Sequence, residues 1–105
     1  MNDKRRRQLK SLIKQLEKIS GELEQLKCDT EEIQSEIEEL RDEEQEAFDN
    51  LPESIQGTER GERMEEAIDK MDDASSYVDD VTCSMEETDD NIRQLIEAIE
   101  EAINA

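Results

Sequence analysis

LKSLIKQLEKISGELEQLKCDTEEIQSEIEELRDEEQEAFDNL, residues 9–51, places its apolar side chains on a seven-residue count. One column reads Leu9, Leu16, Leu23, Thr30, Ile37, Glu44, Leu51. A second reads Leu12, Ile19, Leu26, Ile33, Leu40, Ala47. The alternation of three and four between the columns is the a/d pattern of a coiled coil. Only Gly21 interrupts it, at an outward position where glycine costs about 1 kcal/mol against alanine. This stretch predicts a helix over about 4–48, with Asn2 or Asp3 as its N-cap.

Beyond it, Asp49 to Thr58 carries turn chemistry. Asn50 as a cap, Pro52 in the first turn and Glu53 three residues after Asn50 predict one short helical turn, which Gly57 ends. Thr58 is then the expected cap of a second long helix over about 59–103, with Glu59 and Glu62 in its first turn, where the dipole favours acids. Leu51 and Ile55 are expected to plug the open end of the seam. The second helix has a central column of Met64, Met71, Val78, Met85, Ile92 and Ile99. It is flanked by Ile68, Ser75, Thr82, Asp89, Ile96 and Ile103 on one side and by Ala67, Ala74, Val81, Thr88, Leu95 and Ala102 on the other. Three columns exceed what a two-stranded seam covers. The expected architecture is therefore all-α: a single domain, residues 1–105, forming an antiparallel helical hairpin with its turn at about 49–58. Two copies are expected to dimerise into a four-helix bundle. Ser75, Thr82 and Asp89 mark a polar middle where packing is expected to loosen or a partner to dock.

Composition fits a narrow seam better than a globular core. Only 32% of the residues are hydrophobic and 43% are charged, for a net charge of −19. The charge is unevenly spread. Residues 1–27 hold eight bases and four acids, and residues 28–105 hold five bases and twenty-eight acids. A surface that is acidic over most of its length repels nucleic acid and membrane surfaces and attracts basic proteins. The basic cluster sits at a helix N-terminus, where the dipole disfavours it; in a hairpin, Glu97, Glu100 and Glu101 are expected to lie alongside and compensate. No segment is apolar enough to span a membrane and none has the pattern of a signal peptide, so the expected location is the cytoplasm.

The residues needed for catalysis are sparse. There is no His, and hence no side chain with an ordinary pKa near neutral. Cys28 and Cys83 lack neighbours at metal spacing and are expected to be free surface thiols. Gly57-Thr58-Glu59-Arg60-Gly61 has glycines but no preceding strand for a phosphate loop. Glu36-x-x-Glu39 and Glu66-x-x-Asp69 resemble the paired acidic motifs of all-α nucleotide pyrophosphohydrolases. However, Glu39 and Glu66 fall on outer faces, whereas a metal site needs convergence within the bundle. The expectation is a non-enzyme with no cofactor and no metal.

The turn adds a resemblance. Residues 41–69, through Phe48, Asn50, Leu51, Pro52, Glu53, Gln56, Glu59, Arg60 and Gly61, resemble small acidic helical proteins of unknown function encoded by phages and mobile elements of Gram-positive bacteria. The resemblance covers about a third of the chain and implies an accessory phage gene that counteracts host functions, acting in the host cytoplasm.

Three functions follow as expectations. The first is an inhibitory module that binds a basic host protein, either nucleic-acid-binding or a defence nuclease, by mimicking nucleic acid. It would use the acids near the turn: Glu36, Glu39, Asp42, Glu43, Glu46, Glu62, Glu65, Glu66, Asp69, Asp72 and Asp73. The second is a scaffolding coiled-coil oligomer. The third is a phosphate or cyclic-nucleotide binder using Arg5, Arg6, Arg7 and Lys10 at the N-terminal end of the first helix.

Overall fold

A computed structural model describes residues 1–105 and contains helices only: α1 (Asp3–Asp49), α2 (Glu53–Gln56) and α3 (Glu59–Asn104). The long helices follow the heptad reading to within one residue at each end. At the start, Asn2 Oδ1 accepts the Arg5 N–H at 2.8 Å, the expected N-cap.

The chain forms two compact units. The first contains Met1–Cys28 with Thr82–Ala105, and the second contains Asp29–Val81. In each, α1 and α3 run antiparallel. In the first unit Arg6 meets Ile103, Ser20 meets Asp89 and Lys27 meets Glu86, so partners descend along α3 as positions climb α1. In the second, Gln34 meets Ser75 and Asp79, and Arg41 meets Asp72.

The seam differs from the a/d expectation. The a column packs inward: Leu9, Leu16, Leu23, Ile37 and Leu51 are half-buried. Its companion is the e column four residues on, namely Arg6, Ile13, Ser20, Lys27, Gln34, Arg41 and Phe48, all buried or half-buried. The d column is left exposed: Leu12, Ile19, Leu26, Ile33 and Leu40 are 44–56% accessible. On α3 the same choice is made. The central column pairs with Ile68, Ser75, Thr82, Asp89, Ile96 and Ile103, while Ala67, Val81, Thr88 and Leu95 are exposed. Ile13, Ile68 and Val78 are the buried hydrophobic residues.

Polar side chains decide the seam. Ser20 Oγ donates to Asp89 Oδ1, and Lys27 Nζ lies 2.6 Å from Glu86 Oε1. Gln34 Nε2 donates to the Ser75 carbonyl at 2.9 Å and to Asp79 Oδ1 at 2.8 Å, and Ser75 Oγ contacts Glu38 Oε1 at 3.1 Å. Arg41 Nε donates to Asp72 Oδ1 at 2.9 Å. Each pair is worth about 1 kcal/mol at most where solvent reaches it. Their heptad repetition nevertheless fixes which columns face each other. Ser75 and Asp89 are thus engaged across the seam, where loose packing had been expected.

The turn is tied by side-chain amides and hydroxyls. Gln56 Nε2 donates to the carbonyls of Phe48 (3.2 Å) and Leu51 (3.1 Å). Leu51 and Ile55 are half-buried, but the expected caps do not form. Pro52, with φ −56° and ψ 143°, precedes α2 and no side chain caps that helix. Asn50 instead continues α1 through its N–H to the Glu46 carbonyl. The Thr58 hydroxyl donates to the Ile55 carbonyl, so it closes the end of α2 and leaves the α3 amides to the main chain.

Gly61 is the turn's tightest point. It is buried, and a Cβ there would lie 2.8 Å from the Gln56 Cα, 2.5 Å from its carbonyl carbon and closer still to its carbonyl oxygen. Gly57 has φ −83° and open space around it, so it acts as an ordinary residue at the α2 end.

Candidate acidic binding surface

All eleven acids expected near the turn are exposed, and all lie in the unit formed by residues 29–81. Glu36, Glu39, Glu43 and Glu46 follow the 3-4-3 spacing that keeps side chains on one strip of a helix, turned away from the seam. Glu62, Glu66, Asp69 and Asp73 form a comparable strip on α3 at 4-3-4 spacing, with Glu65 and Asp72 beside them. Along each strip a carboxylate recurs every 4.5–6 Å by helix rise, so two strips together present about one per 2.6 Å; duplex DNA carries about one phosphate per 1.7 Å. The two densities are of the same order.

Few of these acids are neutralised. Arg41 contacts Asp72 and, at 3.4 Å, Asp42; Lys70 lies 3.9 Å from Asp73. The other eight make no ion pair. The Arg41 guanidinium is held above its ordinary pKa, first by the hydrogen bond to Asp72; partial desolvation opposes this, and the charges of Asp72 and Asp42 add to it. It therefore stays cationic at any pH the protein meets. The unit as a whole has twenty-one acids and four bases, a net charge of −17, whereas the first unit has eleven acids and nine bases, a net charge of −2. The acidity is more local than the sum of −19 suggests.

The basic end is differently arranged. Arg6 Nη1 contacts Asp3 Oδ1 at 3.2 Å, and Arg6 Nε donates to the Ile103 carbonyl at 3.3 Å, near the C-terminus of α3. The dipole problem is thus met through a main-chain carbonyl; Glu97, Glu100 and Glu101, the expected compensators, form no ion pair with the cluster. Arg7 Nε donates to the Asp3 carbonyl at 3.4 Å. Arg5 and Lys10 are exposed. Arg5, Arg6 and Arg7 are consecutive, about 100° apart around the helix, so they fan outward.

Glu36, Glu39, Glu66 and Asp69 are also exposed, and no three acidic, cysteine or histidine side chains converge as a metal site requires. Cys28 and Cys83 are exposed free thiols, as expected. No helix is long and apolar enough to cross a membrane. No family model matches the chain, and no curated protein or solved structure matches it.

The d column of α1 was expected in the seam and lies outside it, whereas on α3 a column beyond what one hairpin covers was implied by its three-column face. Their apolar character was legible in the heptads, but their exposure follows from the polar pairs that claim the e columns.

Proposed function

We propose that this chain is a non-enzymatic binding module whose acidic unit, residues 29–81, docks on a basic nucleic-acid-binding protein and occupies the surface that nucleic acid would take. The observation that supports this reading is the concentration of −17 in one unit, with eight of the eleven strip acids exposed and without a cation. Carboxylates at this density attract a basic channel electrostatically and exclude nucleic acid from it. The setting that fits is the cytoplasm of a bacterial host, with the chain acting as a phage-type inhibitor of a defence nuclease or a similar protein.

The experiment is affinity capture from a Gram-positive host at moderate salt, with the wild type and with Glu39→Lys, Glu46→Lys, Glu65→Lys, Glu66→Lys combined. These positions lie outside the seam, so helicity should be retained. The wild type is expected to retain one basic nucleic-acid-binding protein that the variant loses by tenfold or more. Equal retention by both would refute the acidic surface as the site.

A second reading, a coiled-coil oligomer, is favoured by the exposed d columns. Two hairpins covering these faces would form a four-helix bundle, and the acidic module would then act as a dimer. The two readings are compatible, since Glu39, Glu46, Glu62, Glu66, Asp69 and Asp73 lie away from the apolar columns, and only Glu36 and Glu43 border the α1 column.

A further inference from the structure

Within each unit the exposed columns of α1 and α3 open on the same side of the hairpin. Antiparallel helices that share an a/e seam turn their d positions the same way. Together they make one apolar face. On α1 it is built of large residues, with Leu12, Ile19, Ile33 and Leu40 each 44–56% accessible. On α3 it is built mainly of smaller ones, the exposed Ala67, Val81 and Thr88 and the half-buried Ala74, with the exposed Leu95 the exception. Apolar surface of this extent is expected to be covered.

The columns bordering that face carry the decisive asymmetry. Beside the α1 column lie Gln8, Gln15, Glu22, Asp29, Glu36 and Glu43. Beside the α3 column lie Arg63, Lys70, Tyr77, Ser84, Asn91 and Ala98, with no acid in a chain that has 32. Tyr77, in the middle of this column, is 69% exposed. A merely solvated column of so acidic a chain would carry acids. One that borders another helix with acidic flanks would exclude them.

We infer that this face seats a second copy of the chain, with α1 of each copy packed on α3 of the other and like units together. Stacking α1 on α1 would set large residues against large and small against small, and would oppose acidic flanks. Crossing the helices sets large against small, which interdigitates, and brings Glu36 and Glu43 toward Lys70 of the second copy. The register supports it. In the second unit Gln34 sits opposite Ser75 and Asp79, and Arg41 opposite Asp72. At the same heights Ile33 falls between Ala74 and Val81 of the second copy, and Leu40 between Ala67 and Ala74. In the first unit Ser20 opposite Asp89 places Ile19 between Thr88 and Leu95. Bringing like units together sets two acidic units side by side. Screening at physiological salt, with a Debye length of about 8 Å, limits that repulsion to near neighbours, which are the complementary flanks.

The inference rests on the dimer of the preceding section, and its test separates the two. Lys10→Cys is introduced in a Cys28→Ser, Cys83→Ser background, spin-labelled, and measured by sedimentation and by pulsed dipolar spectroscopy. Lys10 is exposed and lies outside the seam. A dimer mass with label separations below about 30 Å, the width of a bundle plus its labels, is expected. A dimer mass with no separation below about 30 Å would mean unlike units together and would overturn the arrangement while keeping the dimer. A monomer mass, in both this variant and the wild type, would overturn the dimer itself.

Discussion

Gly61→Ala lowers stability by about 2–3 kcal/mol, the cost of forcing a methyl group into a packed site that backbone must vacate. The added carbon meets the Cα, carbonyl carbon and carbonyl oxygen of Gln56. No rotamer change relieves this, because every atom it meets is main chain. Relief requires α2 to move off the start of α3, which in turn pulls the Gln56 amide from the Phe48 and Leu51 carbonyls that it closes. Against a typical total of about 5–15 kcal/mol, the loss is large, and a melting temperature lower by about 10–20 °C is the expected reading in a thermal scan. Gly57→Ala is the internal control. Its site is open and its φ of −83° suits any residue, so its melting temperature should stay within a few degrees of the wild type. Equal melting temperatures for the two variants would show that the close approach at Gly61 does not exist in solution.

The second large effect concerns the apolar face. Ile33→Glu combined with Leu40→Glu is expected to convert the proposed dimer to a monomer while leaving the helical circular-dichroism signal nearly unchanged. Both side chains are already more than half exposed in the single chain, at 54% and 56%, so the hairpin loses little. Across a two-fold interface the change removes four apolar side chains and adds four carboxylates. Burying the exposed half of such a side chain contributes about 1 kcal/mol, so the apolar loss alone is about 4 kcal/mol, or a thousandfold in dissociation constant. The added charges beside Glu36 and Glu43 increase it further. Sedimentation equilibrium reads the mass directly. A variant with the wild-type dimer mass would show that the exposed columns are not the interface. A variant that loses helicity would show that Ile33 and Leu40 belong to the hairpin seam after all.

The heptad count alone revealed the two long helices and the turn between them, because a period near 3.5 over forty residues has no other reading. It did not reveal which side of the a column would close. Ser20, Lys27, Gln34 and Arg41 look like surface residues when read along α1. Their partners Asp89, Glu86, Asp79 and Asp72 are 31 to 69 positions away in sequence, and only the antiparallel register brings them together. The apolar a/d stripe of α1 therefore suggested that its d column lies in the seam with α3, where the structure places it outside. Thr58 departs from the expected cap for a related reason. A hydroxyl before a helix can accept from that helix or donate to the preceding one, and the nearby Ile55 carbonyl decides it. The importance of Gly61 was invisible because it depends on the approach of Gln56 across a turn. The exposure of the eleven acids was legible, since heptad position alone keeps Glu36, Glu39, Glu43 and Glu46 off the apolar columns. The confinement of the excess charge to residues 29–81 was only half legible: the basic cluster of residues 1–27 stood out, but its pairing with 82–105 in one nearly balanced unit required the fold.

The measurement that bears most directly on the proposed function is a competition between this chain and nucleic acid for the basic protein that residues 29–81 are proposed to bind. Labelled duplex is bound to that protein, and the wild type or the four-fold lysine variant is titrated in at fixed salt. The account predicts that the wild type releases the duplex, that the release weakens steeply as salt is raised, and that the lysine variant needs at least tenfold more protein for the same effect. A ternary complex in which the duplex stays bound while the wild type is also held would contradict nucleic-acid mimicry.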